Sequence, residues 1–180
     1  MRYLKKQTDS PLVTRQLSYD RASDRRQIRE LLLEEQHRYC AYSERYIHYT
    51  DSCDIEHFDP RLKSTIDDDY WNWYAVLSWM NSHKPKKIDP CDPTLASRIR
   101  FHSGLFEAVN DSDVEAQNLI KYLRWNHESL VRDRVSHLAN LRFIRGMFAN
   151  DGEFVEFVRE NPENLSFISA IEVEFDVSFP

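Results

Sequence analysis

The sequence predicts an α+β fold that is mainly helical. Apolar residues recur at helical spacing over most of residues 111–150, which favours long amphipathic helices in the second half of the chain. Two short strand-like segments flank the polar loop 61–69, and the alternation around Ser103-Gly104 is typical of a β-hairpin. The 180 residues fit a single compact chain with a polar segment (1–22), a central region (23–90) and a mainly helical C-terminal region (91–180).

The first half is predicted to hold two helical segments and two strands. Residues 23–39 have apolar positions at helical spacing, and Ser23 or Asp24 is the expected cap. Cys53–Phe58 is a short strand in this interpretation. Residues 70–84 open like a strand and become helical, so the sequence predicts the order strand, loop, strand, helix.

The second half is predicted to hold three helices and a final strand. After the hairpin, residues 111–124 and 126–150 read as helices, with Gly152 as the expected stop, and a short helix follows over 153–160. The last segment, 171–179, alternates apolar residues with acids. That pattern predicts a half-buried strand with its acids exposed.

Composition excludes several classes of protein. Three glycines are too few for a glycine-rich phosphate loop over most of the chain. No apolar run approaches the roughly 18–20 residues of a membrane span, and the charged N-terminus does not resemble a signal peptide. The odd number of cysteines, three, argues against a disulfide scaffold. We therefore expect a cytoplasmic protein with free thiols and no membrane association.

The acidic charge is concentrated at one end of the chain. Residues 151–180 hold eight acids and one base, whereas the other 150 residues carry a net charge of +1 against −6 for the whole. Nucleic-acid binding depends on local basic patches rather than on the total. The net charge therefore does not exclude a nucleic-acid surface elsewhere.

An ordered set of polar residues surrounds the segment DIEHFDP. Glu56-His57 is followed by Asn72 after 15 residues, by Asn81 after a further 9, and then by Lys84. A carboxylate and an amide oxygen suit Mg²⁺ or Mn²⁺, and a histidine can accept a proton near neutral pH. This layout resembles the HNH endonuclease family, whose active site is a ββα-metal motif.

The resemblance implies a role for each residue of the set. Glu56 and Asn81 would hold one Mg²⁺ or Mn²⁺ ion, His57 would be the general base, and Asn72 would brace the loop and orient His57. The residues expected near substrate phosphates are Lys84, Arg61 and Lys63. Further bases that could line a phosphate channel are Arg25, Arg26, Arg29, Arg38, Arg45, Lys86 and Lys87.

Some features of this region have simpler interpretations. Adjacent strand residues point to opposite faces, so Glu56 and His57 can share a site only if the strand is bent or irregular there. A lone His57 would most often be a structural histidine, and His83 is expected to be exposed. The acidic run Asp67-Asp68-Asp69 is expected to be a solvated loop rather than a second metal site.

A closer resemblance covers most of the chain. CAYSERYI, IEHFDPR and NWYAVLSWMNSHK are similar to PtuB-type HNH proteins, the nuclease subunit of Septu and some retron-linked anti-phage defence systems. That family has two Cys pairs that would form a structural zinc site. Here Cys40 remains, but the other positions are Ser43, Leu77 and Met80. One thiolate cannot hold structural zinc, so we expect none. Leu77 and Met80, at i and i+3, are expected to pack from one helix face.

The resemblance also implies partners. A PtuA-type ATPase would gate the nuclease, and the substrate would be nucleic acid, with DNA favoured over structured RNA such as tRNA. The 151–180 segment is acidic and ends in the predicted alternating strand, whose edge is expected to dock to another chain. Two other functions stay open. The protein could be a non-catalytic HNH-like subunit that binds nucleic acid or a partner. Alternatively, the acidic tail could mimic nucleic acid and mask the site.

Overall fold

The computed structural model describes residues 4–81 and 94–178. The fold is α+β, with helices and two small two-stranded antiparallel sheets in the described residues. The chain divides into two compact units. Within the described residues, the N-terminal unit comprises 4–42 and 47–81, and the C-terminal unit comprises 43–46 and 94–178. None of the described helices is both long and apolar enough to cross a membrane.

Two helices open the N-terminal unit. Helix α1 (Pro11–Thr14) was not predicted; the Ser10 side chain caps it by accepting from the Leu12 amide. Helix α2 spans Ala22–Glu35 and ends before the predicted limit of residue 39. The predicted cap was wrong: Arg21 occupies that position without a side-chain hydrogen bond, and Ser23 lies inside the helix.

A ββα arrangement follows and confirms the predicted order of elements. Strand β1 (Cys53–His57) pairs antiparallel with β2 (Trp73–Leu77), in register from Cys53 opposite Leu77 to His57 opposite Trp73. Helix α3 (Ser78–Asn81) follows β2 directly. All five β2 residues are buried, which makes this strand the centre of the N-terminal unit.

The Gln36 side chain fixes the central strand to the end of α2. Its Nε2 donates to the Ala75 carbonyl at 2.9 Å, and its Oε1 accepts from the Ala75 amide at 2.8 Å. Because Gln36 is itself buried, the nitrogen and the oxygen of its side-chain amide both need hydrogen-bond partners. The backbone of a single β2 residue, Ala75, supplies both. These two hydrogen bonds fix the position of β2 relative to the C-terminal end of α2.

The C-terminal unit contains the predicted hairpin. After α4 (Leu95–Arg98), strand β3 (Ile99–His102) pairs antiparallel with β4 (Leu105–Ala108). Ser103 and Gly104 both have positive φ, 50° and 85°, as a two-residue turn of this twist requires. The turn prediction at Ser103-Gly104 is therefore confirmed.

Three helices follow the hairpin. They are α5 (Val114–Tyr122), α6 (Glu128–Arg145) and α7 (Asp151–Glu160). The expected stop at Gly152 was wrong, because α6 already ends at Arg145, with Gly146 as its C-cap, and Gly152 lies in the first turn of α7. The Asn150 side chain caps α7 by accepting from the Glu153 amide. The short helix predicted over 153–160 is therefore confirmed and begins two residues earlier, at Asp151.

The predicted terminal strand is a helix. Helix α8 spans Ile168–Phe175 and buries Ile168, Ile171 and Phe175, which recur at spacings of three and four residues. Val173, which strand alternation would bury, is 60% exposed. The acidic segment therefore offers no strand edge in the described residues, and docking through such an edge is not supported.

Candidate active site

A cavity of about 420 Å³ opens beside the end of β1 in the N-terminal unit. Its lining combines acidic, basic and amide side chains with one histidine. The residues are Tyr19, Arg25, Arg29, Asp54, Ile55, Glu56, His57, Pro60, Lys63 and Asn81. Three of the four residues predicted to carry the chemistry therefore border one cavity.

Glu56 and His57 share this cavity without the expected break in the strand. Both residues stay in register with β2, opposite Tyr74 and Trp73. His57 is the last residue of β1, so the cavity lies at the strand end, where both faces of the strand can border it. The predicted bend is absent and is not needed, because His57 is the terminal residue of β1 rather than an interior one.

Asp68 lies against the His57 ring. Its Oδ2 is 3.2 Å from His57 Nε2, and the two side chains are only 4% and 5% exposed. Asp68 therefore places a carboxylate oxygen directly beside the Nε2 nitrogen of the ring. Trp73 Nε1 donates to Asp68 Oδ1 at 2.7 Å, and the Ser64 amide donates to its Oδ2 at 2.9 Å.

The prediction of a solvated loop at Asp67-Asp68-Asp69 was therefore wrong for Asp68. Asp67 and Asp69 are exposed as expected, and Asp69 caps a short 3-10 turn by accepting from the Trp71 amide. Asp68 is turned inward because the indole of Trp73 and the amide of Ser64 both offer it hydrogen bonds. A buried carboxylate needs such donors to offset the loss of water.

Asn72 joins the loop after β1 to the start of β2. Its Oδ1 accepts from the Asp59 amide at 2.9 Å, its Nδ2 donates to the Asp59 carbonyl at 3.2 Å, and its own carbonyl accepts from the Phe58 amide at 3.0 Å. Asn72 is 1% exposed. Asn72 therefore ties the loop after β1 to the start of β2; the orienting role toward His57 stays a prediction.

Three side chains with oxygen ligand atoms, those of Asp54, Glu56 and Asn81, line the cavity. Asp54 and Glu56 lie two residues apart on β1, so their side chains leave the same face of the strand. Asn81 Nδ2 donates to Asp54 Oδ2 at 3.2 Å, and Ser78 Oγ donates to Asp54 Oδ1 at 2.7 Å. The Tyr42 hydroxyl donates to Glu56 Oε1 at 3.1 Å.

This donor set fits one hard divalent cation. Two carboxylates and an amide oxygen are ligands of the kind that Mg²⁺ and Mn²⁺ prefer. Within residues 4–81 and 94–178, no three His, Cys, Asp or Glu side chains gather as a metal site. A metal at this cavity would therefore depend on the Asn81 amide oxygen together with Asp54 and Glu56.

The residues predicted to contact phosphate are placed differently from one another. Lys63 lines the cavity. Arg61 does not; its guanidinium pairs with Asp59 at 2.6 Å, and the Asp59 carboxylate raises the pKa of Arg61. Lys84, like His83, lies outside the described residues.

The positions of the lost zinc pairs are buried. Cys40, Ser43, Leu77 and Met80 are each 5% exposed or less. The expectation that Leu77 and Met80 share one helix face was wrong, since Leu77 ends β2 and only Met80 lies in α3. The Leu77 amide instead donates to Cys40 Sγ at 3.4 Å. Burial raises the pKa of the nearby Cys53 thiol to about 11, which disfavours a thiolate ligand there.

Sequence reasoning missed three residues of this site, namely Asp54, Asp68 and Tyr19. Asp54 had a local signal, because it stands two residues before Glu56 on a predicted strand and so shares its face. Asp68 and Tyr19 had none, because loop closure and the packing of the segment before α2 bring them to His57. The Tyr19 ring meets the His57 ring edge to face, with centroids 4.5 Å apart.

No family model, curated protein or solved structure matches this chain. The assignment of function therefore depends on the residues and their geometry, together with the sequence resemblance described above.

Proposed function

We propose that this protein is a metal-dependent endonuclease of the HNH type, which hydrolyses phosphodiester bonds of nucleic acid. One observation carries the proposal. The order β1, β2, α3 brings His57, Glu56, Asp54 and Asn81 to a single cavity, and Asp68 holds a carboxylate 3.2 Å from the histidine. We would not expect a surface histidine or a purely structural one to lie beside both a buried carboxylate and a set of oxygen ligands for a metal.

Each side chain has a definite task in this proposal. His57 accepts the proton of the attacking water as general base. Asp68 faces Nε2 and favours the tautomer with its proton there, so Nδ1 is the basic nitrogen of the neutral ring. Asp54, Glu56 and Asn81 would hold one Mg²⁺ or Mn²⁺, which supplies charge stabilisation for the phosphorane and the leaving oxygen. Asn72 keeps the loop that carries Asp59 in place.

The biological setting follows from the resemblance to PtuB-type proteins. We propose DNA as the favoured substrate, with structured RNA as the alternative, and an anti-phage role as the effector of a PtuA-type ATPase. The acidic segment 151–180 stays a proposed contact region for that partner. Helix α8 (Ile168–Phe175) would offer a helical face there rather than a strand edge.

The test is a cleavage assay with plasmid DNA and total RNA in Mg²⁺ or Mn²⁺, with and without the co-expressed ATPase. Wild type, His57→Ala and a control, His102→Ala, are compared. His102 is exposed on the hairpin and serves as the matched histidine substitution. We expect His57→Ala alone to lose cleavage by about 10²–10⁴-fold. Equal cleavage by all three proteins, or none by the wild type in any arm, would contradict the proposal.

A further inference from the structure

Three cations border the candidate active site on its solvent side. Arg25 and Arg29 lie four residues apart on α2, hence on the same helix face, and Lys63 comes from the loop after β1. All three are exposed, whereas Glu56 and His57 in the same cavity are buried. The cavity therefore has buried acidic and histidine groups within and basic groups toward solvent.

Tyr19 gathers two of these cations. The Arg25 guanidinium lies 4.7 Å from the centre of the Tyr19 ring, and the Lys63 ammonium lies 5.1 Å from it. Both separations are within the range of a cation–π contact. Arg25 Nε also donates to the Tyr19 carbonyl at 2.8 Å. The same ring contacts His57 edge to face, so Tyr19 links the cations to the candidate base.

The three cations differ from their neighbours in having no carboxylate partner among the described residues. Arg21 pairs with Asp24 at 2.9 Å, Arg26 pairs with Glu30 at 2.8 Å, and Arg61 pairs with Asp59 at 2.6 Å. Each of these neighbouring arginines forms an ion pair with a carboxylate of the same chain. The charges of Arg25, Arg29 and Lys63 are left available for an anion from outside.

The acids of the cavity make such cations necessary for a phosphate substrate. The carboxylates of Asp54 and Glu56 would repel a phosphodiester, and a single bound divalent ion would do little more than neutralise them. We propose that Arg25, Arg29 and Lys63 form a phosphate clamp that holds the sugar-phosphate backbone of the substrate beside His57. This inference rests on the proposed nuclease function and adds how the substrate is held.

The clamp can be tested by binding alone, in EDTA, so that no cleavage occurs. Fluorescence anisotropy would measure the Kd of labelled single-stranded DNA, duplex DNA and single-stranded RNA over a range of KCl concentrations. The variants are Arg25→Gln with Arg29→Gln, and Lys63→Gln alone. The charge-matched control is Arg26→Gln with Arg132→Gln, since both arginines sit on exposed helix faces and pair with a glutamate four residues away. Thermal melting confirms that each variant folds.

The clamp predicts a specific change in salt dependence. Losing Arg25 and Arg29 should weaken binding by at least about tenfold and reduce the slope of log Kd against log salt by roughly 1.5, whereas the control should leave the slope unchanged. Lys63→Gln should reduce the slope by about half as much. Equal weakening by the control, or an unchanged slope in the clamp variants, would overturn the clamp. Whichever oligonucleotide loses most affinity identifies the backbone that the clamp holds.

This outcome is separable from the proposed function. Cleavage that depends on His57, together with an unchanged salt slope in the clamp variants, would leave the nuclease and remove the clamp. A reduced slope in a protein that cleaves neither DNA nor RNA would leave the clamp as a binding surface and remove the nuclease.

Discussion

Both units bury charged side chains, but they enclose them differently. In the N-terminal unit, buried Glu56 and His57 border an open cavity. In the C-terminal unit, Arg134 is 1% exposed and donates to the carbonyls of Gly104 at 2.7 Å and Trp125 at 2.9 Å. Burial alone therefore does not distinguish these charges: Glu56 and His57 border a cavity, whereas the Arg134 guanidinium donates to backbone carbonyls.

Arg134 and Glu44 illustrate the structural use of buried charge. The guanidinium lies over the rings of Phe106 and Phe167, 4.5 and 5.2 Å from their centres. Burial lowers the pKa of Arg134 to about 10, which still leaves it protonated at neutral pH. Glu44 binds the backbone amide and hydroxyl of Ser169 at 2.9 and 2.6 Å. These charges hold the loop, hairpin and helix ends of one unit together.

The largest effect is expected from the oxygen donors of the cavity. The double variant Asp54→Asn with Glu56→Gln removes both carboxylates while keeping side-chain shape. We expect Mn²⁺ affinity, measured by calorimetry, to fall by at least about 100-fold, since even outer-shell partners of a metal contribute 10–100-fold. Asp67→Asn, a substitution at an exposed acid, is the control. Retained Mn²⁺ affinity in the double variant would remove the metal from this cavity.

The next largest effect is expected on the free energy of unfolding, from the buried Arg134 of the C-terminal unit. Arg134→Met keeps much of the apolar stem but removes the donor to the Gly104 and Trp125 carbonyls and the positive charge that interacts with Glu44. We expect the free energy of unfolding to fall by about 3–5 kcal/mol. Urea denaturation would measure it. A loss below about 1 kcal/mol would mean that the buried Arg134 side chain contributes little to the stability of the C-terminal unit.

A smaller effect is expected at Asp68. Asp68→Asn keeps an oxygen that can accept from Trp73 Nε1 but removes the negative charge facing His57. We expect kcat to fall by about 10–100-fold, with KM and the unfolding midpoint nearly unchanged. A parallel loss of stability and activity would instead make Asp68 a structural residue, because a positioning role lowers kcat alone.

The pH dependence of stability should have a contribution from His137 of the C-terminal unit. Burial lowers the pKa of His137, and its Nε2 accepts from the Ser166 amide at 3.1 Å. The folded state thus favours the neutral ring, so this contribution is present above the unfolded pKa of about 6.5 and is lost as pH falls below it. Urea denaturation at pH 7.5 and 5.5 should show the loss, and His137→Gln should reduce it. An unchanged pH dependence in that variant would contradict this role.

The smallest effect distinguishes helix from strand at the C-terminal end. Val173 is 60% exposed and Ile171 is 0% exposed. Val173→Lys should therefore change the free energy of unfolding by no more than about 0.5 kcal/mol, whereas Ile171→Lys should cost more than about 3 kcal/mol. A strand would bury both side chains. Similar large losses in the two variants would contradict helix α8.

The ββα order and the hairpin could be predicted because their signals are local. Strand alternation, the Ser103-Gly104 turn and the spacing of Asn72 and Asn81 after His57 all lie within short stretches of sequence. The sequence could not distinguish the terminal helix from a strand, since its apolar residues fit both the strand period of two and the helical period of 3.6. Ile171 and Phe175 fit the period of two and also the helical spacing that includes Ile168.

The candidate site was predictable only in part for a related reason. Spacing placed Glu56, His57 and Asn81 together because β1, β2 and α3 are close in sequence. Asp68 was assigned to solvent because a run of three acids in a polar loop is usually exposed. Its inward turn depends on the indole of Trp73, and residue type alone does not reveal which of three adjacent acids that indole will contact.

The central claim is that buried charge serves chemistry in one unit and stability in the other. It is tested most directly by measuring, on the same preparations, the cleavage rate per folded molecule and the unfolding free energy of His57→Ala and Arg134→Met. We expect a crossed result: His57→Ala loses cleavage per folded molecule far beyond any loss of stability, whereas Arg134→Met keeps the cleavage rate of its folded molecules and loses about 3–5 kcal/mol. Full cleavage by His57→Ala, with its fold intact, would contradict it.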